Sequence, residues 1–362
     1  MGDVLHAMPA VAALRERHPE WTIGWAIEPG WSELLQSSEE LRRSGVSGGR
    51  SAGKPLVDVW HPVPTKSWKQ HPFAPMTLFS IGALRRELRS CEYDVCVDMQ
   101  GAIRSAVVGR MAGAGLFAGP AKPRETQARW LYEERVSTSA THVVEQGCEL
   151  LSGVFAETLQ AVKVPLPFEE ATEAWCDQWL APRVGRGERF AFIVPGAGWG
   201  AKQWPAERYG AVAAALGRRG YRTVVNGSGS ASGSASGPGR SVDEVVAKSE
   251  GFATSVPCSI GQLIALVRRA GVVIAGDTGP LHLAAALERP LVGLFGPTDP
   301  ARNGPFVGED SKAMSIVLRH GPERRDHSRR SEPEPGLLEI TVGEVVEAAL
   351  KLLESEHGKV KG

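Results

Sequence analysis

Short apolar runs rich in β-branched residues alternate along this chain with longer stretches whose apolar positions recur at helical spacing. Residues 1–18 place Val4, Ala7, Met8, Val11 and Leu14 on one face and predict a helix, with Pro9 early enough to act as a local kink. Residues 21–27 (WTIGWAI) predict a strand, and 31–36 a short helix. The Gly/Ser/Arg-rich span 37–54 predicts a mobile loop. Beyond it, 57–60 predicts a short strand, 65–72 (TKSWKQHP) a surface loop and 76–90 an amphipathic helix. Residues 93–98 (YDVCVD) read as a buried strand ending on a carboxylate. Helices over 101–113 and 140–154 follow, and between them 120–132 is a basic loop leading into a further helix.

A second series opens with an acidic helix over 169–180 and a turn-rich join that ends at Gly187. Residues 189–194 (RFAFIV) predict a strand that runs into PGAGWGAKQWP. The next helix, 206–219, carries Tyr209, Val212, Ala213 and Leu216 on one face, with Gly220 as its stop. A strand over 221–225 precedes 226–239 (NGSGSASGSASGPG), a low-complexity span predicted to stay disordered or to form a long lid. A short acidic helix over 242–248 comes next, and the capping box from Ser259 to Gln262 starts a helix that runs to Arg269. Strand 271–275 (GVVIA), helix 281–287 and strand 291–295 (LVGLF) make a βαβ unit, which requires a right-handed crossover onto a parallel sheet. Residues 301–335 predict a charged, Pro-rich loop, and 342–356 a closing amphipathic helix. The two series predict an α/β protein of two doubly wound domains facing a cleft, over 1–167 and 168–341, with the closing helix in 342–362.

Composition narrows the class. The 362 residues suffice for two domains with a core each. Lys+Arg 41 against Asp+Glu 41 argues against a protein that coats nucleic acid, so no nucleic-acid partner is expected. No apolar run approaches the roughly 20 residues that cross a bilayer, and no charged and apolar leader opens the chain. Cys91, Cys96, Cys148, Cys176 and Cys258 are scattered, without C-x-x-C spacing or a His-rich segment, so reduced thiols and no metal site are expected.

The chemistry gathers at two strand ends. After strand 271–275 comes Asp277-Thr278-Gly279-Pro280, where Thr278 is placed to cap the helix, Gly279 lets a ligand approach the backbone and Pro280 suits the first helical turn. Such a helix start at the carboxyl end of a sheet is an anion site. An ordinary βα turn capped by Asp or Thr would read the same way. The other strand end carries GAGWGAK, whose N–H groups and Lys202 would form a phosphate cradle. It is neither a P-loop, since G-K-[ST] is absent, nor a dinucleotide fingerprint in its usual first turn. A surface lysine at 202 and a structural histidine at 282 are the competing readings.

Four segments, GDVLHAMPAVAALRERHPEWTIGWAIEPGWSELL, VDMQGAIRSA, FIVPGAGWGAKQWPAERYG and GDTGPLHLAAALERPLVGLFGPTDP, together resemble the lipopolysaccharide heptosyltransferases of glycosyltransferase family 9, in order and over nearly the whole chain. The resemblance is to heptosyltransferase I-like members. It implies a GT-B fold of two Rossmann-like domains, acceptor in the first and nucleotide-sugar in the second. It further implies inverting transfer of heptose from ADP-heptose to the Kdo–lipid A inner core, with no cofactor and no catalytic metal. No D-x-D metal motif is present.

Carried over by residue, Asp3 corresponds to the general base. Gly198, Lys202, Asp277, Thr278, Gly279 and His282 correspond to donor contacts, with Glu244 or Asp243 near the adenosine, and Gln100, Arg104, Arg124, Lys66 and Lys69 to acceptor contacts. A carboxylate repels diphosphate, so Asp277 is expected to cap the helix or bond a sugar hydroxyl. The implied location is cytoplasmic, peripheral to the inner membrane of a Gram-negative bacterium. Two departures from the family stand out. No strand precedes Gly2-Asp3, so the expectation is a first domain whose first N-terminal strand is missing, and 226–239 replaces a short turn. A relative using another sugar or acceptor, or a non-catalytic nucleotide-sugar binder, are the alternative readings.

Overall fold

The computed structural model describes residues 1–45, 49–196, 200–227, 238–308, 314–321 and 332–355. They fall into two compact units, one of His6–Glu169 and the other of Met1–Leu5 with Glu170–Gly362.

The chain opens with α1 (Gly2–Arg17), which carries Pro9 inside it and buries Leu5, Met8, Val11 and Leu14. Arg15, at its far end, is buried because it ties three segments together. Its guanidinium donates to the carbonyls of Leu56 at 3.2 Å and Trp21 at 2.6 Å and pairs with Asp58, which also accepts the Ile23 N–H at 2.8 Å. These bonds align the parallel pair β1 (Gly24–Ile27) and β2 (Val59–Pro62). Between them lie a 3-10 helix, Pro29–Leu34, and α2 (Ser38–Ser44). The helix α2 falls where a mobile loop was expected. Ser37 caps it by accepting the Glu40 N–H, with Glu39 and Glu40 in its first turn and Arg42 and Arg43 in its last, as the helix dipole favours. Residues 46–48 of that expected loop lie outside the described residues.

The span expected as a surface loop after β2 instead forms α3 (Thr65–Gln70), followed by α4 (Pro75–Ser90). Then come β3 (Val95–Val97), α5 (Ile103–Ala112) and β4 (Leu116–Pro120). The basic loop expected over 120–132 leads not into an α-helix but into a 3-10 turn, Thr126–Leu131, and β5 (Glu134–Val136) and α6 (Val143–Phe155) complete the unit. Its strands, all parallel, form two sheets among the described residues, β1–β2 and β3–β4–β5.

The other unit runs α7 (Glu170–Leu180), β6 (Phe190–Val194), the 3-10 turn Gly200–Lys202, α8 (Ala206–Gly217) and β7 (Arg222–Gly227). It continues through α9 (Pro238–Lys248), β8 (Ala253–Pro257), α10 (Ile260–Arg269), β9 (Val272–Gly276) and α11 (Gly279–Ala286). The last elements are β10 (Leu291–Phe295), α12 (Pro300–Asn303), β11 (Ser315–Arg319), α13 (Pro335–Glu339) and α14 (Val342–Ser355). The expected capping box is present, with Ser259 and Gln262 bonding each other's backbone N–H. Two expectations fail at their edges. Asn226 and Gly227 of the expected disordered span belong to β7, and Pro238 and Gly239 to α9; 228–237 lie outside the described residues. The expected Pro-rich loop contains α12, β11 and the start of α13.

Among the described residues this unit has six strands, all parallel, in the order β11-β10-β9-β6-β7-β8. The chain thus moves outward from β6 in one direction, returns and moves outward in the other. The point where the order reverses, between β6 and β9, is where open α/β sheets leave a crevice at their carboxyl ends. Strands β6, β9 and β10 are buried at every position, which is why they read as unbroken apolar runs. Helices α8 and α14 close one face through Tyr209, Val212, Leu216, Val345, Ala349 and Leu353.

The five cysteines are free thiols. Burial pushes Cys148 and Cys96 up to about 11 and Cys176 up to about 12, while Cys91 is exposed.

Candidate functional site

The loops that leave β6 and β9 meet at the reversal point. A side chain on Gly276, the last residue of β9, would stand 3.3 Å from the Lys202 carbonyl, so the glycine lets the two backbones approach. Trp204 and Tyr209 pack edge-to-face beneath them at 4.8 Å, and the Tyr209 hydroxyl is bonded to the Gly276 backbone. The Trp204 indole N–H donates to the Ile340 carbonyl at 3.2 Å, which fixes the floor to the segment before α14.

On this floor a buried carboxylate gathers three partners. Asp277 pairs with the Lys202 ammonium, accepts the Thr298 hydroxyl at 2.6 Å and lies 3.4 Å from His282 Nε2. Burial alone would raise the Asp277 carboxyl, but the His282 hydrogen bond and the Lys202 charge outweigh it and hold the carboxyl well below its ordinary value. Asp277 is therefore ionised, and its charge is met inside the cluster. The expected helix cap is not made. Thr278 holds the N-cap position of α11, yet its hydroxyl donates to the Gly276 carbonyl at 3.1 Å, and Asp277 turns to Lys202 instead.

The first residues of α1 belong to this unit. The Met1 side chain lies on Gly279, where an added Cβ would fall 2.5 Å from its Sδ, and Gly2 faces His282, with an added Cβ 3.6 Å from Cδ2. Asp3, the next residue, stands exposed on the opening turn of the helix. The fold therefore brings Lys202, Asp277, Thr278, Gly279 and His282 together, and Asp3 follows directly on the Met1 and Gly2 that lie against Gly279 and His282. Glu244 is not in this group. It is exposed on α9, which covers β7 and β8 rather than β9. Gly198 lies outside the described residues. Thr298 went unassigned, although its GPTDP segment was conspicuous in the sequence.

In the N-terminal unit, Gln100 in the loop after β3, Arg104 in the first turn of α5 and Arg124 in the loop after β4 sit on one cluster of segments. Asp98 is its anchor. One oxygen accepts the N–H groups of Gln100 at 3.0 Å and Gly101 at 3.1 Å, the other the hydroxyls of Ser105 at 3.0 Å and Tyr132 at 2.7 Å. Gly101 adopts φ +66, and a side chain there would stand 3.0 Å from the Arg124 N. The Glu125 N–H donates to the Gly101 carbonyl at 2.9 Å, which seats the Arg124 loop against the start of α5. Lys66 and Lys69 are placed elsewhere, exposed on α3, with the Lys66 ammonium 5.6 Å from the centre of the Trp31 ring. Among the described residues no group of three His, Cys, Asp or Glu side chains is arranged to hold a metal ion.

The family described as glycosyltransferase family 9 (heptosyltransferase) matches residues 81–332, well over half of the chain. The chain belongs to glycosyltransferase family 9. It is 25% identical over 309 residues to lipopolysaccharide heptosyltransferase 1 of Pseudomonas aeruginosa, spanning 84% of this chain and 79% of that one. To lipopolysaccharide heptosyltransferase 1 of Salmonella typhimurium it is 27% identical, over 84% of this chain and 88% of that one. The fold of this family 9 member matches the E. coli heptosyltransferase WaaC with ADP at a TM-score of 0.72 and 22% identity, across 97% of both chains. It matches a family 9 glycosyl transferase from Veillonella parvula at 0.76 and 20% identity, covering 98% of this chain and 95% of that one. This family 9 glycosyltransferase thus has the α/β, GT-B fold, with parallel sheets.

Proposed function

We propose that this family 9 glycosyltransferase moves heptose from ADP-heptose onto the Kdo–lipid A inner core of lipopolysaccharide, inverting the anomeric centre. The observation that carries the reading is the Lys202–Asp277–His282 cluster at the reversal point of the six-stranded sheet. There an ammonium held in place by a buried carboxylate stands beside the start of α11, a setting suited to a diphosphate. Relatives named lipopolysaccharide heptosyltransferase 1 and the likeness to the E. coli heptosyltransferase WaaC with ADP support the choice of donor.

In this reading Lys202 and the first N–H groups of the Thr278–Gly279 turn stabilise the departing diphosphate. Asp277 orients Lys202 and His282 and does not touch phosphate. Asp3 takes the proton of the acceptor hydroxyl as it attacks the anomeric carbon. Gln100, Arg104 and Arg124, seated by Asp98, meet the carboxylates and phosphates of the acceptor, and charge-assisted bonds from the two arginines suit both groups. The protein works at the cytoplasmic face of the inner membrane. A transfer assay with ADP-heptose and Kdo–lipid A tests the reading. Turnover that is lost in Lys202→Ala supports it, and ADP binding with no heptose transfer to that acceptor overturns the choice of sugar or acceptor.

A further inference from the structure

The helix α4 has two unlike faces. Thr77, Leu84 and Leu88 are buried and share one side, where Leu84 and Leu88 pack with Val63, Val108 and Ala112. On an adjacent side, turned roughly a third of the circumference from the buried one, Leu78, Gly82, Arg85 and Arg89 follow one another at spacings of four, three and four, with Phe79 and Arg86 alongside on the side farther from the core. The apolar members of this outer face stand in water: Phe73, just before the helix, is 89% exposed, Met76 74%, Leu78 59% and Phe79 66%. Four large apolar side chains at that exposure within seven residues form a patch, not the scatter found on ordinary surfaces.

Its charge completes the pattern. Arg85, Arg86 and Arg89 follow the apolar turns along the same face, and Glu87, the acid of α4, turns to His61 Nδ1 at 2.6 Å. Beside the face runs a groove of about 840 Å³ between α4 and α5, walled by Leu78, Ile81, Val107 and Met111 and rimmed by Arg85 and Arg89. The acid that lines this groove, Glu133, is bonded to Arg110 and to the Phe117 N–H.

We infer that the outer face of α4, with Phe73 before it, docks the protein on a bilayer that carries anionic headgroups. Phe73, Met76, Leu78 and Phe79 enter the boundary between headgroups and acyl chains, and Arg85, Arg86 and Arg89 bond lipid phosphates one and two turns farther along. A protein partner fits less well, because three arginines next to the apolar patch, with the acid of the helix turned away to His61, suit a dense anionic counter-surface. The inference deepens the proposed function, whose acceptor is a membrane lipid, but it is read without any sugar donor.

The test is sedimentation of the full chain with vesicles of phosphatidylcholine alone or mixed with phosphatidylglycerol. Binding to the mixed vesicles, weakened by salt, is expected. Phe73→Ser with Phe79→Ser should lower the partition coefficient about tenfold. Arg85→Gln with Arg89→Gln should lower it by at least about fivefold on the anionic vesicles alone. All four side chains are solvent-facing, so thermal melts by circular dichroism should match the parent, and Leu41→Ser on α2 should leave binding unchanged. ADP affinity should be equal in every variant, so a failed donor site is told apart from a failed surface. No binding to anionic vesicles, or equal binding by parent and variants, overturns the inference. So does an oligomer that Phe79→Ser splits while vesicles remain unbound.

Discussion

At Asp277 an ammonium, an imidazole and a hydroxyl converge on one buried carboxylate. Removing one partner of such a pair leaves the other charge without compensation, so Lys202→Ala should cost about 3–5 kcal/mol of stability in urea denaturation. The same variant should weaken ADP by roughly 1.5–3 kcal/mol in calorimetry, and an unchanged affinity would take Lys202 out of the donor site. The sign of the pH effect follows from the lowered Asp277 carboxyl. Its contribution is complete above the unfolded value of about 3.9 and is lost as pH falls through the lower folded value. Asp277→Asn should therefore flatten the acid limb of the stability profile. Asp3→Asn should keep ADP binding and lower kcat by about 10²–10⁴-fold, the usual worth of a positioned base. The residues at this site were legible because a Gly-rich loop and a β-to-α turn announce themselves locally. Their bonding was not. Lys202 lies 75 positions from Asp277, and nothing in the local pattern of either tells that they pair, or that Thr278 gives its hydroxyl to Gly276 instead of capping.

Elements were legible where burial on both faces writes an apolar run, as in β6, β9 and β10. The strands β4 (LFAGP), β5 (ERV), β8 (ATSVP) and β11 (SIVLR) were missed. They are short or carry Gly, Pro or charge, and the neighbouring strand supplies what their own composition does not. The helix α2 was masked by the Gly/Ser background around it, although Ser37 and its Glu-then-Arg order are sound helix signals. Excising 226–239 tests the boundary of the low-complexity span. It would remove the Asn226 and Gly227 pairings with Val256 and Pro257 and the start of α9, so a lower Tm is expected, and an unchanged Tm would show that these pairs contribute nothing. At the other end of the unit, Thr341 and Glu344 bond each other's backbone N–H at the start of α14, at 2.8 and 3.2 Å. Those bonds, with the Thr341 hydroxyl and His320, hold the Glu344 carboxyl down to about 2. Thr341→Ala should cost about 0.5–2 kcal/mol and return Glu344 toward the ordinary range in an NMR titration.

Over the whole chain, the alternation of strand and helix was enough to read two α/β halves, but not the order of strands. That order depends on which way each crossover turns, and it is what places the β6 and β9 loops together. Because the Lys202 cluster lies wholly within the unit of Met1–Leu5 and Glu170–Gly362, ADP should raise the calorimetric transition of that unit. At a hundred times its Kd the gain is about 2.7 kcal/mol. A uniform shift of every transition would mean that the two units unfold as one. The thiols offer a chemical handle on the same molecule. A maleimide reacts with thiolate, so Cys148 and Cys176, buried and held protonated, are shielded, whereas Cys91 is open to solvent at the C-terminal end of α4. Brief labelling at neutral pH should therefore favour Cys91 and install an environment-sensitive fluorophore on that helix without engineering a new attachment point.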